Sequence, residues 1–357
     1  MKNKGLIKYA FAALFYFAAY KPCTKAQAVF KEDLSLVKRA DELFVNECYF
    51  DAHPLYLKLV QKKPEDIQHY FRLTACTLFL VDDKEDVIKT FNSMVNNPEI
   101  EEEIDYFLGK AYMLNYKYAD AIKKFVLYKQ KGDPFNVRKF QVDRLIEMCI
   151  NGQKNNISNS DWVFTSKEVV QRDTVLKSNS YKDVPGLMIK KPGNGFFNTI
   201  FDYAYEEELT TVYLAPDKSE MYTASYGTEE WEMKDLYRIK KLFNGIWEEA
   251  EKLPCVINSD YDENYPFLHP DGKTLYFSSK GHNSIGGYDI FKSTFNDITD
   301  LWSEPENLGT PINTPDDDIL FITDPTGNYA TYSSAQKISV DKLVVYKLVK
   351  TKKKPSE

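Results

Sequence analysis

The stretch YPFLHPDGKTLYFSSKGHNSIGGYDIFKSTFNDITDLWSEPENLG, Tyr265–Gly309, decides how the second half of this chain is read. TLYFSS and YDIFKS alternate apolar and polar residues, the period of half-buried strands. Between PFLH and TLYF stands Pro270-Asp271-Gly272. Proline presets φ, aspartate bonds back to the backbone and glycine takes positive φ, so the tripeptide predicts a tight turn. The unit therefore reads as strand, turn, strand, loop, strand, loop and a short edge segment.

The same unit recurs on both sides. Pro216, Pro270 and Pro325 are separated by 54 and 55 residues, and so are Tyr237, Phe291 and Tyr346. Ser225, Ser279 and Ser334 keep that spacing, and Trp302 follows Trp247 by 55. Four strands in such a unit is the size of one propeller blade. Three blades are clear. A propeller needs about four to close, and Trp162–Phe201, with WVF, VPGLMIKK and FFNTIF, is the candidate for a divergent fourth.

Upstream, from about Leu34 to Ile150, glycine is scarce and apolar residues recur at helical spacing. A repeat near 34 residues runs through it. YFLGKAYMLNYKYADAIKKFVLYKQKGDP holds Leu108-Gly109, Tyr112, Ala121, Phe125 and Pro134. Ala40, Ala52, Tyr56 and Pro64 mark a first copy, and Ala75, Val87, Phe91 and Pro98 a second. A small residue in each first helix lets its partner approach, an aromatic one turn further fills the gap, and proline ends the pair. A last helix is expected over roughly Val137–Ile150, then a polar linker over 151–161. The expected fold class is therefore α+β multidomain: an N-terminal TPR-like α-helical repeat stack over 30–150, then an all-β propeller-type domain over 162–350.

Composition narrows the partners. The 357 residues carry a net charge of −7, although the first 28 hold five Lys and no acid. An acidic body argues against nucleic acid. Lys2, Lys4 and Lys8, the apolar run Tyr9–Tyr20 and the small-x-small site Ala26-Gln27-Ala28 read as a secretory signal over 1–28. The apolar run is short for a bilayer span. Cys23 lacks the small-apolar run that precedes a lipidated cysteine. None of the five cysteines shows C-x-x-C spacing, and the three in apolar helical stretches, Cys48, Cys76 and Cys149, read as small buried hydrophobes.

No catalytic motif is found around the four histidines His53, His69, His269 and His282, and GHNSIGG lacks the glycine of a nucleophile elbow. No catalytic residue and no cofactor are expected. Acids recur before the first strand of each unit: Glu206–Glu208, Asp260 with Asp262 and Glu263, and Asp316, Asp317 and Asp318. Asp260, Asp262, Asp316, Asp317 and Asp318 are weak candidates for Ca²⁺. The simpler expectation is that they bind loop N–H groups. The tail at 351–357 is basic and expected to be solvated.

PFLHPDGKTLYFSSKG…GGYDIF resembles the TolB-type, WD40-like PD40 propeller repeat, and the first half resembles a TPR array. The order of the two is similar to the N-terminal region of Bacteroidetes cell-envelope proteins, some of which end in an OmpA-like domain and are linked to gliding or type IX secretion. The sequence shows no OmpA-like segment, so peptidoglycan binding is not carried over. The resemblance implies a non-enzymatic interaction scaffold, exported to the periplasm or the outer membrane, whose partners are envelope proteins or peptide segments and whose membrane association is only indirect. By resemblance to TPR arrays, first-helix residues Arg72, Phe79, Tyr106, Lys110 and Met113 line a partner groove. A glycan or peptidoglycan binder is the alternative, and a propeller-based hydrolase a more remote one.

Overall fold

The computed structural model describes residues 36–81, 83–100, 103–155, 161–192, 202, 209–227, 233–335 and 341–351. The signal segment, Cys23, Glu206–Glu208 and the tail beyond 351 lie outside them. The described chain is a helical region followed by antiparallel sheets.

The helices are α1 (Leu36–Val45), α2 (Tyr49–Lys62), α3 (Ile67–Leu78), α4 (Glu85–Met94), α5 (Glu103–Leu114), α6 (Tyr118–Lys131), α7 (Pro134–Lys139) and α8 (Val142–Asn155). The residues that set the repeat spacing are those that hold the helices together. Ala40, Ala75, Ala52, Ala121, Tyr56, Phe91 and Phe125 are all completely buried. Gly109 is where the small residue matters most, because a Cβ there would stand 2.5 Å from the Phe125 ring. Phe107 continues the aromatic filling, with its ring centroid 5.6 Å from Phe44 and 5.7 Å from Phe71.

Two boundaries differ from the sequence reading. Pro134 opens α7 instead of closing α6. The Asp133 side chain accepts from Asn136 N–H at 2.9 Å, and proline loses nothing at a first helical position. The last helix also starts later and runs on past Ile150 to Asn155. Burial of Cys149, Asn151 and Gly152 explains the extension: a polar asparagine continues a helix when its side chain finds a partner there.

The strands fall into three sheets. The first holds β2 (Leu187–Lys190), β3 (Thr211–Leu214), β4 (Glu220–Tyr226), β5 (Lys234–Lys240) and β6 (Glu251–Lys252). The second holds β7 (Glu263–Leu268), β8 (Thr274–Ser279), β9 (Asp289–Asn296), β10 (Leu301–Trp302) and β11 (Glu306–Asn307). The third holds β12 (Asp318–Thr323), β13 (Tyr329–Ser334), β14 (Lys342–Lys350) and, at its edge, β1 (Trp162–Gln171). Each sheet turns from its first long strand to its second the same way. Lys218, Gly272 and Gly327 take positive φ and donate to Ala215, His269 and Asp324 carbonyls respectively. Tyr265 and Leu320, also 55 apart, take positive φ at matching bulges.

Consecutive sheets pack face to face. Tyr213 of β3 meets Phe267 of β7 edge-on at 5.0 Å, and Tyr276 of β8 lies 5.0 Å from Phe321 of β12. One apolar core runs through all three, from Tyr213 through Phe267 to Ile322.

The segment expected as a fourth blade supplies strands to existing sheets. β1 pairs with β14, from Trp162 opposite Lys350 to Gln171 opposite Lys342. β2 pairs with β3. Between them the chain crosses from the third sheet to the first through short 3-10 turns at Arg172–Lys177 and Asn179–Tyr181. Val175 and Tyr181 enter the shared core, and the Tyr181 hydroxyl donates to Leu320 O at 3.2 Å. Among the described residues there is no fourth sheet. β1 covers the outer side of β14 and β2 that of β3, and β1 and β2 are themselves the outer strands of those sheets.

Candidate interaction site at the junction of helices and sheets

All three sheets begin at one end. The Asn264 side chain, at the start of β7, donates to Leu209 O, just before β3, at 3.4 Å. Asp318 N, at the start of β12, donates to Tyr288 O, just before β9, at 2.6 Å. The loops of this end meet the helices.

Arg144 of α8 makes the principal contact. Its Nη2 donates to Ser284 Oγ at 2.5 Å and to Lys280 O, and its guanidinium lies 4.4 Å from the Tyr261 ring centroid. Its Nη1, also buried, pairs with Glu147 at 2.7 Å. Two turns along the helix, the Asn151 side chain donates to Ser284 O at 3.1 Å. Both faces of Ser284 are thereby held by one helix, and Ser284 and Ile285 are completely buried. The GHNSIGG loop is the surface on which the helices seat. Its glycines are required by crowding: a Cβ on Gly286 would stand 2.1 Å from Thr314 O, and one on Gly287 2.0 Å from Asp317 Oδ1.

The recurring acids organise this end. Glu263 accepts from Ser259 N–H at 2.9 Å, from Ser259 Oγ at 2.6 Å and from Ser279 Oγ at 2.6 Å. Its equivalent, Asp318, accepts from Thr314 N–H at 2.6 Å. Asp289 accepts from Ile285 and Gly286 N–H at 2.9 and 3.1 Å and from the Asn307 side chain at 2.8 Å. Burial pushes the Glu263 and Asp289 carboxyls up to about 7 against these bonds, and Asp318 well above the usual carboxylate range. Burial would raise Asp262 too, but the Lys280 ammonium at 2.9 Å and the Lys234 N–H hold it below that range.

A second device repeats with the same spacing. Asn258 accepts from Leu236 N–H at 2.8 Å and donates to Leu253 O at 2.8 Å and Leu236 O at 3.2 Å. Asn313 accepts from Ile290 N–H at 2.7 Å and donates to Ile290 O at 2.8 Å. Each asparagine ties the loop leaving one sheet to that sheet's own third long strand. Sequence reading missed both, although Ile257-Asn258-Ser259 and Ile312-Asn313-Thr314 share the 55-residue spacing.

The Ca²⁺ candidates are spread among these loops. Asp260 is exposed, Asp262 is ion-paired, Asp317 accepts from Tyr288 N–H at 2.9 Å and Asp316 O from Gly287 N–H at 3.2 Å. Among the described residues no group of three or more His, Cys, Asp or Glu is arranged to hold a metal ion.

The groove candidates have separate environments. Met113 and Tyr106 are buried in the helical core, with Tyr106 stacked on Phe140 at 4.4 Å. Phe79 stacks on Tyr49 at 4.3 Å, and the Arg72 guanidinium lies 4.7 Å from the Phe44 ring centroid. Lys110 is half-buried; burial lowers its pKa, opposed by Glu47 and by Asp316 and Asp317 of the β loops. Arg72 lies on α3 and Phe79 at its C-terminal cap. Cys76 and Cys149 are buried free thiols.

In comparisons with known proteins, no family model, no curated protein and no solved structure matches the chain. Among the described residues no helix is long and apolar enough to cross a membrane.

Proposed function

We propose that this chain is a non-enzymatic protein–protein interaction scaffold, in which a TPR-type helical stack is fixed to a propeller-type β domain. The observation that carries the reading is the junction itself. Arg144 and Asn151 reach across to Ser284 and Lys280, and the surrounding acids and asparagines bind loop N–H groups and carbonyls. These polar groups are engaged in holding loops, so the chemistry gathered here is that of a rigid joint. A rigid joint sets the relative placement of two binding surfaces, which is what a scaffold requires.

The repeat spacing supports the finer assignment to TPR and PD40 modules and, with the basic and apolar N-terminus, a place in the periplasm or at the outer membrane. The partners would be envelope proteins or peptide segments engaging the stack around Arg72 and Phe79, with Lys110 at the inner end of that surface. The reading is tested by pull-down from envelope fractions with the full chain as bait. Arg72→Glu combined with Lys110→Glu should reduce recovery of the wild-type partner by about ten-fold or more. Unchanged recovery removes the groove.

A further inference from the structure

The end of the sheets opposite the helices carries two projecting hairpin tips. One joins β5 to β6 and holds Phe243 and Ile246; the other joins β9 to β10 and holds Ile298 and Leu301. Phe243 is fully exposed and Ile298 is 95% exposed, while Ile246 and Leu301 are 60% and 65% exposed. Scattered surface apolar residues are ordinary, but these recur in step: Phe243 and Ile298 are 55 residues apart, and so are Ile246 and Leu301. Both tips have fixed backbones. Asn244 Oδ1 accepts from Ile246 N–H at 3.0 Å with Gly245 at φ +83°, and Asn296 Oδ1 accepts from Ile298 N–H at 2.9 Å. The exposure is built into the turns.

We infer that this end seats directly on a lipid bilayer, with Phe243, Ile246, Ile298 and Leu301 entering its interfacial region. Three features favour a bilayer over a protein partner. The apolar groups stand on separate convex tips with Asn244, Asp297 and Asp300 between them, so a rigid partner would need separate matching pockets, whereas a fluid interface accepts each tip independently. A half-buried tryptophan sits at the base of each tip: Trp247 beneath Lys241 at 5.4 Å, and Trp302 edge-on to Phe295 at 5.2 Å. Tryptophan and lysine behind an apolar apex is the composition that headgroup regions accommodate. Charge points the same way. Lys350 N–H donates to Asn328 O, so β14 ends at this same end of the sheets, and Lys352, Lys353 and Lys354 follow in the sequence. Such a basic segment adds attraction to anionic headgroups. Of the acids nearby, Asp297 is paired with Lys273, Asp217 and Asp324 are engaged in their own turns, and Glu248, Glu249 and Asp300 are exposed and oppose this attraction.

The inference is independent of the scaffold reading and replaces indirect membrane association with direct seating. It is tested with the full chain and vesicles of brominated phosphatidylcholine, with and without phosphatidylglycerol, following tryptophan emission. The apolar run Tyr9–Tyr20 contains no tryptophan, so insertion of that segment does not itself place a quencher beside an indole. Bromolipid should quench the wild type, more strongly with phosphatidylglycerol. Phe243→Asp with Ile298→Asp should cut the quenching by about five-fold or more, and Phe243→Ser with Ile298→Ser, which adds no charge, should do so to a similar extent. Absence of quenching with both compositions, or equal quenching in wild type and variants, overturns the inference.

Discussion

Arg144, in the first turn of α8, and Ser284, in the loop between the second and third long strands of the second sheet, are 140 residues apart in sequence and joined by a hydrogen bond of 2.5 Å. The same guanidinium covers Tyr261, and Asn151 closes on the Ser284 carbonyl from further along the helix. Helices and sheets are therefore docked through one buried cation and one buried loop. Arg144→Ala would leave the Lys280 carbonyl and Ser284 without that donor in a dry contact. A loss of about 2–3 kcal/mol is expected at the junction. Amide exchange at Gly281–Ile285 should accelerate strongly while exchange in β12 and β13 stays as in the wild type. Unaltered exchange in the loop would mean that the docking does not depend on this residue.

Asn258 and Asn313 occupy equivalent places and do equivalent things. Replacing either with alanine strands a buried N–H on β5 or β9, while the Leu236 and Ile290 carbonyls keep the N–H groups of Leu253 and Leu308. Each replacement should destabilise the β region by about 2–3 kcal/mol in urea unfolding. The two losses should be similar because the bonding patterns are. A large effect at one position and none at the other would break the equivalence of the units.

Stability should fall as pH rises from about 4 to 7. Glu263 keeps its proton up to about 7 in the folded protein, while in the unfolded chain it releases it near the ordinary glutamate value. The unfolded state thus binds fewer protons in that window, and folding loses free energy until the folded carboxyl also ionises. Asp289 and Asp318 act with the same sign. Asp262, held low beside Lys280, acts with the opposite sign at the lower end of this window, where the unfolded carboxyl still binds protons, and His53 and His282, held low by burial, do so towards its upper end. Glu263→Gln should flatten the decline by on the order of 2 kcal/mol between pH 5 and 7.5, read from denaturant midpoints. A variant with the wild-type slope would place the titration elsewhere.

Much of the architecture is legible in the sequence. Seven of the positions that define the helical repeat, Ala40, Ala52, Tyr56, Ala75, Phe91, Ala121 and Phe125, are completely buried, because small and large residues must alternate where helices pack closely. The Pro-Asp-Gly turn and its two relatives were equally legible, since φ preferences act over four residues. The candidate site was legible in part. Lys110 and the acids of 316–318 were singled out separately, but nothing local says that Asp316 and Asp317 oppose the lowering of the Lys110 pKa.

By itself the sequence determined the order of helical and sheet repeats, the turns and the strand alternation, because each depends on the chemistry of residues within a few positions of one another. Tertiary structure alone decided that β1 completes the third sheet, that Asn151 belongs to a helix and that Arg144 enters the GHNSIGG loop. Those outcomes rest on groups far apart along the chain. A buried edge, an asparagine side chain or a guanidinium takes whichever partner the folded backbone brings within reach, and no local pattern records which one that is.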